Sequence, residues 1–340
     1  MRPSAGLAVA ALLAISAGAS GQSITSVTGL GYPMDGLDAR TQILGGTGVG
    51  LGGFNASLTN PAGAAGMTRR GGVLALANTS RDLTLGDETG SSGATRFPLI
   101  RVILPVRGVT LSVGYGGVLD QSWGVRTVGE IDVGGEGLPF QEEIGSSGGL
   151  GEFQLAAALP LGENLALGAS LGALTGNQRV RLTRRFDTTA VSDYRPFDET
   201  FAWRYSGLAA RAAAEWRLPS VAQAGVSLSW ASSVSADSTD GRATDREFDM
   251  PFQAAMGASA YLGPSLLAAV SARWSGWSGA DATGAASVDG LSGARDTWEV
   301  GAGLELDNPE SRDTRHFPVR VGFQYRQLPF TFVSDAPSEW

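Results

Sequence analysis

The segment Phe317–Arg326 alternates almost without error, with Phe317, Val319, Val321, Phe323 and Tyr325 on one side and Arg320, Gly322, Gln324 and Arg326 on the other. Successive strand residues point to opposite faces, so a segment of this kind has one apolar and one polar face. The pattern recurs along the chain. Ile100, Val102, Leu104 and Val106 oppose Arg101, and Phe153, Leu155, Ala157 and Leu159 oppose Glu152 and Gln154. Leu208, Ala210, Ala212, Ala214 and Trp216 oppose Arg211, Glu215 and Arg217. Leu266, Ala268, Val270, Ala272 and Trp274 oppose Ser271 and Arg273, and Trp298, Val300, Ala302 and Leu304 oppose Glu299 and Glu305. The apolar sides carry no charge. An arginine facing lipid at mid-membrane costs roughly 2–4 kcal/mol, so a lipid-facing surface requires that absence. Runs of about ten residues suit a tilted bilayer crossing, whereas strands of soluble sandwiches and propellers average roughly 5–6. The fold class is therefore read as all-β, a transmembrane antiparallel β-barrel.

Turn chemistry orders the strands. Tight turns fall at Arg107-Gly108, Gly162-Glu163-Asn164, near Pro219 and at Gly263-Pro264, and a moderate one at Asn308-Pro309. Between them lie long polar stretches, 80–95, 119–147, 175–200, 232–246 and 275–294, read as loops, the third with a hairpin of its own. Short turns on one side and long loops on the other are the habit of outer-membrane barrels. Trp123, Trp203, Trp216, Trp230, Trp274 and Trp298 fall near strand ends, where interfacial aromatics belong.

Composition agrees. Charged residues are 17% of the chain, below the roughly 25% of soluble domains. Mean hydropathy is +0.02 although 43% of residues are hydrophobic. Alternating strands hide apolar character in this way.

Residues 1–21 read as an export signal: Arg2, an apolar Gly6–Ala19 core, and small residues at Ala19 and Gly21 before Gln22. A retained helix is the alternative, but the run is short for a span. With no Cys there is neither a lipid-modified N-terminal Cys nor a disulfide framework. Residues 22–70 lack a two-residue period and hold Gly45, Gly46, Gly48, Gly50, Gly52 and Gly53, then Asn60-Pro61-Ala62-Gly63. Residues 71–340 are read as barrel. The turns delimit eleven membrane strands, and Pro337-Ser338-Glu339-Trp340 is loop-like. Bacterial single-chain barrels have even strand numbers, so further strands are expected beyond Trp340.

Little in the chain can do chemistry. His316 is the single His and sits in an expected turn, and with no Cys the sequence offers no metal cluster. Gly45-Gly46-Thr47-Gly48-Val49-Gly50 lacks the Gly-Lys-Ser/Thr of a phosphate loop. Asp82–Glu88 reads as a solvated acidic run. The formal charge of −8, with no basic stripe, does not suit nucleic acid. No catalytic residue, metal or cofactor is expected.

The Gly-rich stretch followed by Asn60-Pro61-Ala62-Gly63, directly before the first strand, resembles the FadL long-chain fatty acid transporter family and its PorV-type relatives. The resemblance covers 39–66 and, beyond that, barrel architecture alone. It implies a barrel of about fourteen strands and an N-terminal hatch that plugs the lumen. The hatch or gate residues would be Gly45, Gly46, Gly48, Gly52, Gly53, Asn60, Pro61, Ala62 and Gly63. It further implies outer-membrane transport of hydrophobic small molecules such as long-chain fatty acids. The alternative is a PorV-like protein that binds exported proteins. Whether the hatch gates or only seals stays open. Arg101, Arg211, Arg273, Arg320 and Arg326 share the polar side and could meet a carboxylate head group. Glu152, Glu215, Glu299 and Glu305 share that side too, so internal pairing is the competing account.

Overall fold

A computed structural model describes residues 31–53, 55–85, 88–133, 136–186, 197–241, 243–279, 291–292, 295–306, 318–329, 331–332 and 338–339. The expected export signal (1–21), the start of the hatch (22–30) and His316 lie outside the described residues.

Eleven long strands dominate: β1 Gly71–Leu85, β2 Glu88–Val106, β3 Val109–Asp120, β4 Glu136–Leu161, β5 Leu165–Phe186, β6 Phe197–Leu218, β7 Ala222–Ala231, β8 Gln253–Tyr261, β9 Leu266–Ser275, β10 Thr297–Leu306 and β11 Val319–Gln327. Each pairs antiparallel with its neighbours in chain order, within a sheet of sixteen strands when short pieces are counted. This is the meander of an up-and-down barrel wall. Among the described residues no ladder joins β1 to β11, so the sheet is open there.

The alternating faces separate as the sequence demands. On β5, Leu165, Leu167, Ala169, Leu171 and Ala173 are exposed while Ala166, Gly168, Ser170, Gly172 and Leu174 are buried. Cross-strand register aligns these faces: Leu155 opposes Leu171, which opposes Ala210. Val102, Leu155, Val270 and Phe323 point outward, and Arg101, Glu152, Gln154 and Glu215 point inward and are buried. Trp216 stands outward at one end of this apolar band, and Phe153, packed on Tyr115 at 4.7 Å, at the other.

The expected tight turns are found. Arg107 and Gly108 both take positive φ, as do Gly162, Ser220 and Gly263. The long polar stretches differ from expectation. Residues 80–85 and 88–95 continue β1 and β2 as one hairpin, and Trp123–Val133 pairs with the outer part of β4, whereas the hairpin expected within 175–200 is found as β5 and β6 running on together to Arg184 and Phe197. Beyond the bilayer both faces of a strand meet water, so apolar alternation disappears while the ladder continues. Trp203 also departs from its expected interfacial place. It faces inward, with the Arg246 guanidinium 4.0 Å above its ring.

Leu155→Arg or Val270→Arg is expected to lower the folded fraction by a cost of roughly 2–4 kcal/mol. Glu163→Arg, in an exposed turn, is expected to leave it unchanged. Heat-modifiable gel mobility of the refolded chain measures both.

Candidate functional site

Residues 31–70 pack against the inward face of the wall. Irregular backbone at membrane depth persists only where its polar groups are satisfied by protein. Asp38 begins the ordering. Its buried carboxylate caps the short helix α1, Ala39–Ile43, by accepting from the Thr41 N–H at 3.0 Å. It also accepts from the Ala56 N–H at 2.9 Å and the Ser57 hydroxyl at 3.1 Å, closing the segment on itself.

Glycines then let this backbone lie directly on the wall. A Cβ at Gly45, whose φ is 74°, would overlap the Phe323 carbonyl, and one at Gly301 of β10 would overlap the Gly45 carbonyl. Gly50 and Gly257 of β8 make the same mutual approach through the Gly50 and Val49 backbones. Only residues without side chains fit there on either partner. Gly46 abuts the Gln324 side chain, the Gly48 carbonyl accepts from Asn55 at 2.5 Å, the Gly52 N–H donates to Ser259 at 2.8 Å, and Gly53 lies beside Arg40.

Asn60, Pro61, Ala62 and Gly63 form a capped turn fixed to the wall. The Asn60 side-chain oxygen accepts from the Ala62 N–H at 3.2 Å, with Pro61 at the first position of the 3₁₀ turn Pro61–Ala64 and the Gly63 N–H donating to the Asn60 carbonyl at 3.3 Å. The Asn60 amide nitrogen donates to the buried Glu215 carboxylate. Glu215 also holds Arg217 at 2.6 Å and Gln223 at 2.7 Å, and Arg217 donates to the Ala65 and Ala62 carbonyls at 2.7 and 2.9 Å.

Four of the five lumen arginines hold this segment or its partners. Arg101, 1% exposed, donates to the Ala56 and Ser57 carbonyls at 3.1 and 2.7 Å and to the Ser112 hydroxyl. Arg273 and Arg326 grip Asp35 from two strands, and both also meet Glu299, at 3.6 and 2.8 Å. Arg320 bonds Glu305 at 2.5 Å, and Glu305 in turn receives Arg40 of α1 at 2.8 Å. Arg211 differs. It pairs with Glu152 at 2.5 and 2.6 Å and lines a small cavity.

That cavity, about 60 Å³, lies between the segment and the outer strand ends, with Met34, Leu58, Leu119, Met250 and Trp277 as its apolar wall. It runs into a buried cluster of Leu119, Leu150, Leu174, Tyr205, Val234, Phe248 and Trp277. On the opposite side of the segment, Gly53, Gly63, residues 65–69, Arg217 and Gln223 border a more open recess of about 430 Å³. Among the described residues no group of His, Asp or Glu is arranged to hold a metal.

Sequence reasoning singled out glycines and Asn60 that lie against the wall, and passed over Asp35, Arg217 and Gln223. Asp35 lies in a stretch without periodicity, and Arg217 looks like any inward charge. The available signal was the inward glycines Gly168, Gly225, Gly257, Gly301 and Gly322. Each falls where a hatch backbone arrives.

No family model matches the sequence, and no curated protein matches it. Solved structures do. The chain is similar to a FadL homologue from Pseudomonas aeruginosa, at 14% identity and a TM-score of 0.56, over 89% of this chain and 82% of that one. It is similar to the Ralstonia pickettii toluene transporter TbuX, at 16% identity and 0.52, over 89% and 88%. The Pseudomonas putida toluene transporter TodX aligns at 12% identity and 0.50, over 87% and 85%. At these identities the likeness establishes a shared fold: the expected FadL-type barrel architecture is the one found. Two of these neighbours are toluene transporters.

Gly301→Ala is expected to displace the hatch and raise small-solute permeability in proteoliposomes while the barrel stays folded. Gly71→Ala, with nothing within 4 Å of the added atom, should change neither. Asn60→Ala is expected to act in the same direction as Gly301→Ala, since it costs roughly 1–3 kcal/mol in buried hydrogen bonding.

Proposed function

We propose that the chain is an outer-membrane channel for hydrophobic small molecules, with residues 22–70 as the hatch that closes its lumen. One observation carries the reading: an apolar cluster running from Phe248 and Tyr205 through Leu119 to Trp277 is buried on the outer side of the hatch and reaches a cavity on it. A water-filled porin keeps a polar interior. Two of the structural neighbours are toluene transporters and another is a FadL homologue, which agrees with an apolar cargo. Long-chain fatty acids are the extended form of that cargo. Their carboxylate would compete with Glu152 for Arg211.

The same geometry favours gating over permanent sealing. An engineered apolar cavity of about 150 Å³ holds benzene, whereas the cavity here is about 60 Å³. A ligand must therefore move the lining, and the lining includes Pro33, Met34, Asp35 and Gly36 of the hatch. Displacing Asp35 breaks its grip on Arg273 and Arg326. A cavity this small offers nothing to a protein tail, so the exported-protein alternative gains no support here.

Deleting 39–66 from the full chain is expected to leave a folded barrel with raised conductance and lost selectivity. Trp277→Asp is expected to reduce uptake of labelled toluene and long-chain fatty acid several-fold, without opening the pore to polar solutes. Uptake unchanged by Trp277→Asp would remove the apolar route. Because the chain contains no Cys, single cysteines report topology cleanly. Asp237→Cys should label from outside intact cells, and Asn164→Cys and Pro264→Cys should not.

A further inference from the structure

On the inward face above the hatch, Arg246 differs from the arginines described so far. The hairpin of Val234–Ser238 and Arg246–Phe248 extends the wall beside β6. Register sets Arg246 opposite Ala236, Ala236 opposite Tyr205, and Tyr205 opposite Gly176 of β5, with Ala236 and Tyr205 buried. The small Ala236 lets the Arg246 side chain fold across the wall. Its guanidinium lies 4.0 Å from the Trp203 ring centroid and donates to the Gln178 side-chain oxygen at 2.7 Å.

The other inward guanidiniums at Arg184, Arg211, Arg217, Arg273, Arg320 and Arg326 each hold a carboxylate. Among the described residues no carboxylate pairs with Arg246, whose partners are an amide oxygen and an aromatic face. The nearby carboxylates are engaged elsewhere. Asp245 accepts from the Ser238 N–H at 2.7 Å, Asp120 from the Ser122 N–H at 3.0 Å, and Glu142 from Arg184 at 2.7 Å. Glu247 alternates to the outward face, and Asp249 lies past the end of that strand. Stacking on Trp203 holds the guanidinium in place while leaving donors of its fork free.

A second donor stands unused on the same patch. Trp123 is directly opposite Ser146 of β4 in the ladder, and the Ser146 hydroxyl accepts from Gln178 at 3.1 Å. The Trp123 indole N–H is buried and has no hydrogen-bond partner, whereas that of Trp203 donates to the Thr244 carbonyl at 3.1 Å. An unpaired buried donor is costly. Gln178 cannot relieve it, because its oxygen already accepts from Tyr205 at 2.8 Å and from Arg246. The groups with capacity to spare are donors only, an indole N–H and a guanidinium. They suit an anionic acceptor.

Apolar surface lies directly below. Phe248 meets Tyr205 edge-on at 5.8 Å, and the cluster continues through Leu174, Leu150 and Leu119 to Trp277 at the hatch cavity. Gln178 and Leu174 are four residues apart on β5, about 13 Å along the strand. Leu174 is level with Glu152, the partner of Arg211. An extended chain of roughly ten carbons covers that distance at about 1.5 Å per bond.

We propose that Arg246 and Trp123 bind the carboxylate of a monocarboxylic acid whose extended apolar chain lies along the Tyr205–Leu119 cluster and ends at the hatch cavity. The inference rests on the transport reading and names the residues that select its cargo. Binding at Arg246 breaks no ion pair, whereas reaching Arg211 requires displacing Glu152, which is costly for a buried pair. Arg246 is therefore where the head group is held first.

The test expresses the full chain in cells without fatty acid uptake of their own, with labelled dodecanoate and labelled toluene as probes. Arg246→Gln is expected to raise the dodecanoate concentration for half-maximal uptake about tenfold, as loss of a charge-assisted pair implies, and to leave toluene uptake unchanged. Arg246→Lys, which keeps the charge without the fork, should fall between, and Trp123→Phe should shift dodecanoate alone by a smaller factor. Arg107→Gln, in an exposed turn at the opposite end, should shift neither. Heat-modifiable mobility confirms that each variant is folded. Dodecanoate uptake unchanged by Arg246→Gln, both probes reduced alike, or wild-type import of toluene without dodecanoate would each overturn the proposal. Wild-type import of neither probe would end the transport reading. Retention of labelled dodecanoate by the purified folded chain then decides the site: it is lost in Arg246→Gln if the proposal holds and equal if it fails.

Discussion

The structure depends on one requirement: an irregular stretch of backbone is buried inside a wall of strands, and each of its polar groups needs a partner there. In hydrocarbon or dry protein an unpaired amide costs several kcal/mol. The wall answers in two ways. Where it carries glycine, at Gly257, Gly301 and Gly322, the two backbones touch directly. Where it carries Arg101, Gln154 or Ser227, side chains reach inward and bond the hatch carbonyls of Ser57, Leu58 and Thr59 at 2.7, 3.1 and 2.8 Å. Inward polarity in this barrel is therefore mainly a surface fitted to the hatch, and much less a lining for water.

Charge pairs add position to this fit. Breaking a buried pair by removing one partner is costly, while the intact pair contributes little net stability. Asp35 between Arg273 and Arg326, Arg40 on Glu305, and Asn60 on Glu215 accordingly act as locating pins. The pins sit on β6, β9, β10 and β11, so a hatch that moves must release the wall on several sides. The Asp35 pin is the one that also borders the outer cavity.

The wall was legible in the sequence because lipid imposes a rule on every second residue. Val102, Leu155 and Val270 had to be apolar, and the turns at Gly162 and Gly263 had to bend, so strand order and faces followed. The same rule lapses beyond the bilayer. Residues 123–133 and 175–186 carry polar residues on both sides, and nothing local distinguishes a ladder in water from a loop. The hatch was half legible. Gly45 and Asn60 announce themselves by residue type, but Glu215 and Arg217 acquire their role only when the chain brings Ala62 and Ala65 beside them, more than a hundred residues away in sequence.

The distribution of arginine makes the division of labour plain. Within the apolar band the outward face carries no arginine, because lipid excludes it, so each arginine there points inward and finds a carboxylate or a carbonyl. Above the band the outward face is free of that restriction, and Arg179, Arg181 and Arg204 appear on the same strands whose lower halves show Leu167, Leu171 and Leu208. A merely soluble extension would tolerate either sign of charge. Both signs occur there: Asp198 and Asp237 share that outward face, Asp237 directly opposite Arg204. Inside, at that level, Leu119, Leu150 and Leu174 form a buried apolar cluster beside the hydrogen-bonded Gln178 and Ser146. Polarity along each face of the wall thus follows what that face meets: lipid within the band, water beyond it, and the N-terminal segment inside.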